Sequence, residues 1–289
     1  MRWVAEPSDE RSEGPRESAG DPGASEREAF LRRFHAARPG VTSAPLARGG
    51  TYQRLAALVP AGARVLDLGA GDGYLCELLA ARGARAVGVD FSHEELARFR
   101  ARLGGARSGE AAVAEPCAVA ARAQALPFAD GAFDVCVSHL AFLLMEDAPA
   151  VVGELARVLA PGGRFAAVVG GGPVADADER SDALHRFLAI ARPRLRAVRL
   201  GDRRARGEEG WRQLFAGWTE LAFERWEVDL GGAVDEVWGF LGSCYELPPE
   251  DAEAVRAEVA GAIAELADAR GRVPCRMVAW LGTARRPPS

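Results

Sequence analysis

The chain has 289 residues, with 36 basic and 41 acidic side chains and a formal net charge of −5. All the basic residues are Arg, dispersed among acids, so the chain offers no concentrated positive surface of the kind that a nucleic-acid scaffold needs. Hydrophobic residues at 48% and charged ones at 27% give the balance of a soluble globular protein.

The N-terminus runs Met1-Arg2-Trp3-Val4 and then turns polar, without the apolar core of a secretory signal. The longest apolar stretches are interrupted by Gly or charge, well short of the ~20 residues of a spanning helix. The five cysteines, Cys76, Cys117, Cys136, Cys244 and Cys275, are scattered and form no CxxC. Reduced thiols, a cytoplasmic setting and no metal site are expected.

Residues 1–24 are rich in Glu, Arg, Ser, Gly and Pro, a composition that cannot offset its ordering entropy, and are expected to be a disordered tail. The rest, 25–289, is expected to be one domain. A helix begins after Ser25, with Glu28 at the capping-box position, and stops at Pro39-Gly40. A short helix follows over Thr51 to Leu58.

From Arg64 the pattern becomes regular. Arg64–Leu68 is a short apolar strand, Tyr74–Arg82 a helix, Ala84–Asp90 a strand, and Ser92–Leu103 a helix with Ser92 as N-cap and Glu95 at the capping-box position. A weaker strand falls at Cys117–Ala121. Phe133–Ser138 is a strand, Ala148–Leu159 a helix and Arg164–Val169 a strand. Strands alternating with helices at this spacing specify βαβ units and a parallel sheet with right-handed crossovers. Beyond a Gly170–Pro173 loop the alternation loosens. Helices are expected at Asp182–Ala191, Gly210–Ala216, Val234–Leu241 and Pro249–Ala269, with strands at Leu221–Leu230 and Cys275–Ala284.

The chemistry sits at the end of the first strand. Val65-Leu66-Asp67-Leu68-Gly69-Ala70-Gly71-Asp72-Gly73 follows a strand and opens a helix, where glycines let the backbone turn sharply and approach a ligand. Open α/β sheets bind ligands at the carboxyl ends of their strands. Asp90 closes the next strand, where a carboxylate can accept from both hydroxyls of a ribose. An adenosine-type cofactor is therefore expected, of one of two classes. A dinucleotide site wants G-x-G-x-x-G, but Tyr74 stands where the third Gly belongs. Asp67 and Asp72 would repel a pyrophosphate and attract a cationic amino group and sulfonium. This favours S-adenosylmethionine over a nicotinamide dinucleotide.

The segment resembles motif I of the class I S-adenosylmethionine-dependent methyltransferases. Three further blocks resemble that family in order: Gly88-Val89-Asp90-Phe91-Ser92, Ala125-Leu126-Pro127-Phe128 with Asp130 and Phe133-Asp134, and Glu154-Leu155-Ala156-Arg157-Val158-Leu159 running into Pro161-Gly162-Gly163. The resemblance covers 60–170, the cofactor-binding half, and leaves 171–289 as a substrate and lid half. It implies an α/β fold: a three-layer Rossmann-like sandwich around a seven-stranded, mostly parallel sheet with an antiparallel last strand and helical lid insertions. It implies S-adenosyl-L-methionine as cofactor, with Asp67, Gly69 and Gly71 around its methionine moiety, Asp90 on the ribose and Phe91 against the adenine. The family's usual acid at the adenine amino group is replaced by Arg122, which has no acceptor. That contact is then either lost or supplied by Gln124 or by backbone around Ala123.

His139, beside the expected sulfonium position, is either a general base or a wall of the site. His35 and His185 lie on elements that often cover the cofactor or form a substrate lid in this family. Arg48 and Tyr52 are candidates to close on the cofactor carboxylate. Most second-half aromatics have core spacing; Trp238 and Tyr245 are candidates for a substrate pocket. The expected reaction is methyl transfer to a small organic metabolite, with no nucleic-acid or membrane partner. Two alternatives remain: a non-methylating reaction such as cyclisation on the same fold, and a nicotinamide-dependent reductase.

Overall fold

Val65, Leu66 and Leu68 have no exposed surface although they are near neighbours in one strand, which requires cover on both faces of a sheet. A computed structural model, which describes residues 29, 31, 43–105, 116–194, 201–244 and 249–288, shows that cover. The tail expected over 1–24, most of the Ser25 helix, and the candidates His35 and Tyr245 lie outside these residues.

The elements in chain order are α1 (Ser43–Arg48), α2 (Thr51–Ala56), β1 (Arg64–Leu68), α3 (Tyr74–Ala81), β2 (Arg85–Asp90), α4 (His93–Gly105), β3 (Cys117–Ala120), β4 (Phe133–His139), α5 (Ala148–Val158), β5 (Leu159–Pro173), α6 (Ala183–Ala191), α7 (Glu208–Leu214), β6 (Thr219–Asp229), α8 (Val234–Cys244), α9 (Pro249–Ala264) and β7 (Arg276–Arg285). The seven strands form one sheet in the order β3-β2-β1-β4-β5-β7-β6. β1 to β5 pair in parallel, and β7 runs antiparallel to both β5 and β6. The order reverses between β1 and β4, which makes the carboxyl ends of these two strands the crevice of the sheet.

Period-two alternation divides the core into two layers. Val65, Val135, Val137, Ala166 and Val168 face one way, onto Leu75 and Leu79 of α3, Leu96 and Phe99 of α4, Phe187 of α6 and Val237 and Leu241 of α8. Leu66, Leu68, Cys136, Phe165, Ala167 and Val169 face the other, onto Val151, Val152 and Leu155 of α5 and Trp211 and Leu214 of α7. The result is a three-layer α/β sandwich.

Three expectations are corrected. Gly170–Pro173 is no loop: it prolongs β5, because the antiparallel ladder continues through Gly170↔Ala279, Gly172↔Val278 and Pro173↔Met277, with one irregularity absorbed between the glycines. α9 stops at Ala264, ahead of the expected Ala269, because Asp268 Oδ1 accepts from the backbone amides of Arg270 and Arg272 and closes a competing turn. The Ser92 capping box is half made. Ser92 Oγ accepts from the amide of Glu95 at 3.3 Å, but the amide of Ser92 goes to Asp90 Oδ1 at 2.8 Å, and Glu95 turns instead to Arg98. An additional short helix, α1, precedes the Thr51 helix. Among the described residues no helix is long and apolar enough to cross a membrane.

Candidate cofactor and methyl-transfer site

The site starts from the chain reversal after β1. The amides of Gly69 and Ala70 both donate to the carbonyl of Val89, at 2.8 and 2.9 Å, so the loop is tied to the end of β2. Gly69 has φ 77°, and a Cβ there would overlap that of Ala141 just beyond β4. Gly73 has φ 81°, and a Cβ there would overlap the ring of Phe99. Glycine is therefore required twice over at each position, by backbone conformation and by space.

Carboxylates surround this loop. Asp67, 1% exposed, lies in β1 beneath it. Its Oδ2 accepts from the Sγ of Cys76 at 3.4 Å, while its Oδ1 has no partner among the described residues. Burial pushes its carboxyl up to about 7, with Asp90 and Asp72 adding repulsion and the Cys76 bond opposing. Asp90 Oδ2 accepts from the amide of Gly71 at 2.9 Å, which holds the loop against the end of β2. Glu95, 6% exposed, is also raised to about 7, chiefly by burial, against the pull of Arg98. Asp72 differs from the expectation: Arg102 pairs with its carboxylate and its carbonyl, so its charge is compensated. Glu95 is likewise paired, with Arg98 at 2.8 Å, whereas Asp67 keeps an oxygen without a partner among the described residues. Buried carboxyls held near neutrality, one with a free oxygen, fit a ligand bearing positive charge and do not fit a pyrophosphate.

At the end of β4, Ser138 Oγ donates to the carbonyl of Leu68 at 2.8 Å and accepts from the amide of Phe142 at 3.1 Å, which fixes the β4 terminus beside the loop. The next residue, His139, stacks on Tyr52 with centroids 3.7 Å apart and planes at 16°. Its Nε2 lies 2.8 Å from Thr51 Oγ1. Burial holds this imidazole well below its usual range. Tyr52 also meets Tyr74, the first residue of α3, edge-on at 4.8 Å. One aromatic wall therefore links α2, β4 and the Gly loop.

The structure thus brings Asp67, Gly69, Gly71, Asp90, His139 and Tyr52 to one end of the sheet. Gln124 Nε2 donates to the carbonyl of Glu146 at 2.6 Å, which leaves the amide oxygen and one N–H beyond that bond. Ala123 is buried and Phe91 half-buried.

Other candidates go elsewhere. Arg48 is exposed and lies 3.7 Å from Glu236. Trp238 packs against the core near Phe187, with ring centroids 6.3 Å apart. His185 Nε2 lies 2.7 Å from the carbonyl of Val174, in a separate cleft between α6 and the segment after β5. Thr51, Glu95 and Cys76 carried no site expectation. For Thr51 the sequence held no signal, because its partner is 88 positions away.

A Gly-rich turn after β1, an acid closing β2 and a sheet ordered 3-2-1-4-5-7-6 with an antiparallel β7 define a class I S-adenosylmethionine-dependent methyltransferase fold. Residues 66–167 match the methyltransferase-domain family model. A demethylmenaquinone methyltransferase of Thermus thermophilus is 44% identical over 111 residues, 38% of this chain and 48% of that protein. A malonyl-[acyl-carrier protein] O-methyltransferase of Pectobacterium atrosepticum is 34% identical over 116 residues, 39% of this chain and 42% of that protein. The matched region thus spans less than half the length of these relatives. Among solved structures, the YcgJ protein of Bacillus subtilis shares the fold with TM-score 0.52 at 22% identity, over 83% of this chain and 97% of that one.

Proposed function

We propose that the protein transfers a methyl group from S-adenosylmethionine to a small organic acceptor. The observation that carries the reading is Asp67, a buried carboxyl with one unpartnered oxygen under a loop whose middle glycine, Gly71, has nothing nearer its missing side chain than Glu95 Oε2 at 4.0 Å. The cofactor would supply an electrophilic methyl group on a sulfonium.

Asp67 and Glu95 would give up their protons and face its positive end, which a neutral or anionic ligand would not reward. Asp90 already orders the loop through the Gly71 amide, and its carboxylate would accept from the ribose hydroxyls. The Tyr52–His139 wall would exclude water and align the acceptor for in-line attack, the largest contribution open to a reaction of this type. His139, neutral at pH 7, is a poor proton acceptor. The acceptor would therefore arrive nucleophilic or lose its proton to solvent, which favours the wall over the general base. Apolar groups gather nearby: Met145 and Ala141 flank Gly69, and Leu140 and Met277 flank Gly170, so the acceptor would carry an apolar body.

Calorimetry with S-adenosylmethionine, its demethylated product and NAD tests the cofactor. Binding of NAD in preference to the other two would overturn the reading. Incubation with candidate acceptors followed by mass spectrometry should show a gain of one CH₂. An isomerised product of unchanged mass would instead identify a cyclase.

A further inference from the structure

Thr51 is the first residue of α2, preceded by Gly50 in the left-handed region with φ 75°. Its side chain is 1% exposed, yet it joins three elements. Thr51 Oγ1 donates to the carbonyl of Leu46 in α1 at 2.9 Å and lies 2.8 Å from His139 Nε2 at the end of β4. A hydroxyl has one hydrogen. With that hydrogen committed to Leu46, the oxygen can meet the imidazole only as an acceptor. A neutral ring then carries its hydrogen on Nε2 and its lone pair on Nδ1, against the pull of the ring's contact with its own backbone, which favours an added hydrogen on the ring.

The hydroxyl also fixes the ring's orientation. Tyr52, the next residue, covers one face of the imidazole at 3.7 Å, so a single dipeptide sets both the plane and the protonation pattern of His139. A buried ring without such a partner could exchange tautomers or rotate about χ2, and the wall beside the Gly loop would lose its shape.

We propose that Thr51 is a positioning residue that holds His139 as the Nε2–H tautomer against Tyr52 and so keeps the acceptor side of the site in one geometry. The proposal rests on the methyl-transfer reading for its functional consequence, but the tautomer can be measured without any acceptor. The preference follows from a count of hydrogens rather than from burial alone. It also links the cap formed by α1 and α2 to the strand end where transfer would occur, so cap and site would move together.

The experiment compares full-length wild type, Thr51→Ser and Thr51→Val by long-range ¹H–¹⁵N correlation on protein labelled at its four histidines. The His139 signal is assigned by its loss in His139→Gln, and spectra are taken with and without S-adenosylhomocysteine. Wild type and Thr51→Ser should show protonated Nε2 and unprotonated Nδ1 at pH 7. Thr51→Val, similar in shape but without an acceptor, should show the other tautomer or exchange between the two. Its affinity for S-adenosylhomocysteine should stay within about twofold of wild type. With an acceptor identified, Thr51→Val should lower turnover about tenfold and Thr51→Ser should restore it. An unchanged Nε2–H signature in Thr51→Val would overturn the proposal, as would a Thr51→Ser variant as impaired as Thr51→Val. If wild type binds no S-adenosylhomocysteine, the methyl-transfer reading fails while the tautomer result still decides the role of Thr51 in holding the ring.

Discussion

The two ends of the chain build one sheet but use their side chains differently. In the first half, the residues that matter are small or acidic and gather where strands end: Gly69, Gly71, Asp67 and Asp90. In the second half the prominent residues are aromatic, and they turn inward. Trp211 meets Phe215 at 4.6 Å and stacks at 5.7 Å on Phe165, a ring that the first half contributes from β5. These rings weld α7 to the far face of the sheet, away from the Gly loop. A loop that must approach a ligand needs little side-chain volume, whereas a helix laid on a sheet needs much. Residue prominence in the sequence therefore marks packing in one half and chemistry in the other.

The sharpest way to break this comparison is to delete the largest ring. Trp211→Ala removes a side chain 1% exposed, together with its Nε1 bond to the carbonyl of Thr283. Stability should fall by about 3–5 kcal/mol. Chemical denaturation measures this, and calorimetry on the folded protein should find S-adenosylhomocysteine affinity unchanged. A loss of affinity at unchanged stability would put Trp211 in the site. Asp90→Ala should behave in the opposite way. The Gly71 and Ser92 amides lose their acceptor, and ligand affinity should weaken by about 1.5–3 kcal/mol, tenfold or more, while the denaturation midpoint moves less than in Trp211→Ala.

Acidity separates the halves further. The Asp67 carboxyl is raised to about 7 in the fold from an ordinary 3.8. Between those values the folded state binds the proton and the unfolded state does not, so this group's contribution to stability declines as pH rises from about 4 to 7 and levels off above. Glu95, raised to about 7 from 4.5, acts in the same direction. A cationic ligand prefers the ionised form of both. S-adenosylmethionine should therefore bind more tightly at pH 8 than at pH 6, with proton release visible as a dependence of the calorimetric heat on the buffer. Asp67→Asn should reduce both the slope and the proton release. Binding independent of pH in the wild type would show that neither carboxyl faces the charge. The smallest effect is expected at Arg48. Its exposed pairing with Glu236 should contribute less than about 0.5 kcal/mol, and Arg48→Ala should leave affinity untouched.

Legibility followed the range of the interactions. The βαβ units were readable because period-two and helical patterns are local; β1 falls at Arg64–Leu68 as expected. The placement of the Gly loop and of Asp90 was readable because it depends on backbone turns and on the position of a strand end. Glu95 misled, because the capping-box spacing is satisfied only in part once Asp90 takes the Ser92 amide. Asp72 misled as well: its charge counted in the sequence, and Arg102, 30 positions on, compensates it. The glycines at 170–172 read as a break, since nothing local reveals that β7 lies alongside to hold them extended.

The sequence by itself determined the α/β class, the glycine turn after β1 and the acid at the end of β2, because each depends on the order and type of neighbouring residues. The tertiary structure alone decided which carboxylates are paired, where Trp238 and His185 go, and that Thr51 meets the ring of His139. Burial, ion pairing and the sharing of a single hydroxyl hydrogen are properties of residues far apart in the chain, and they exist only once the strands have come together.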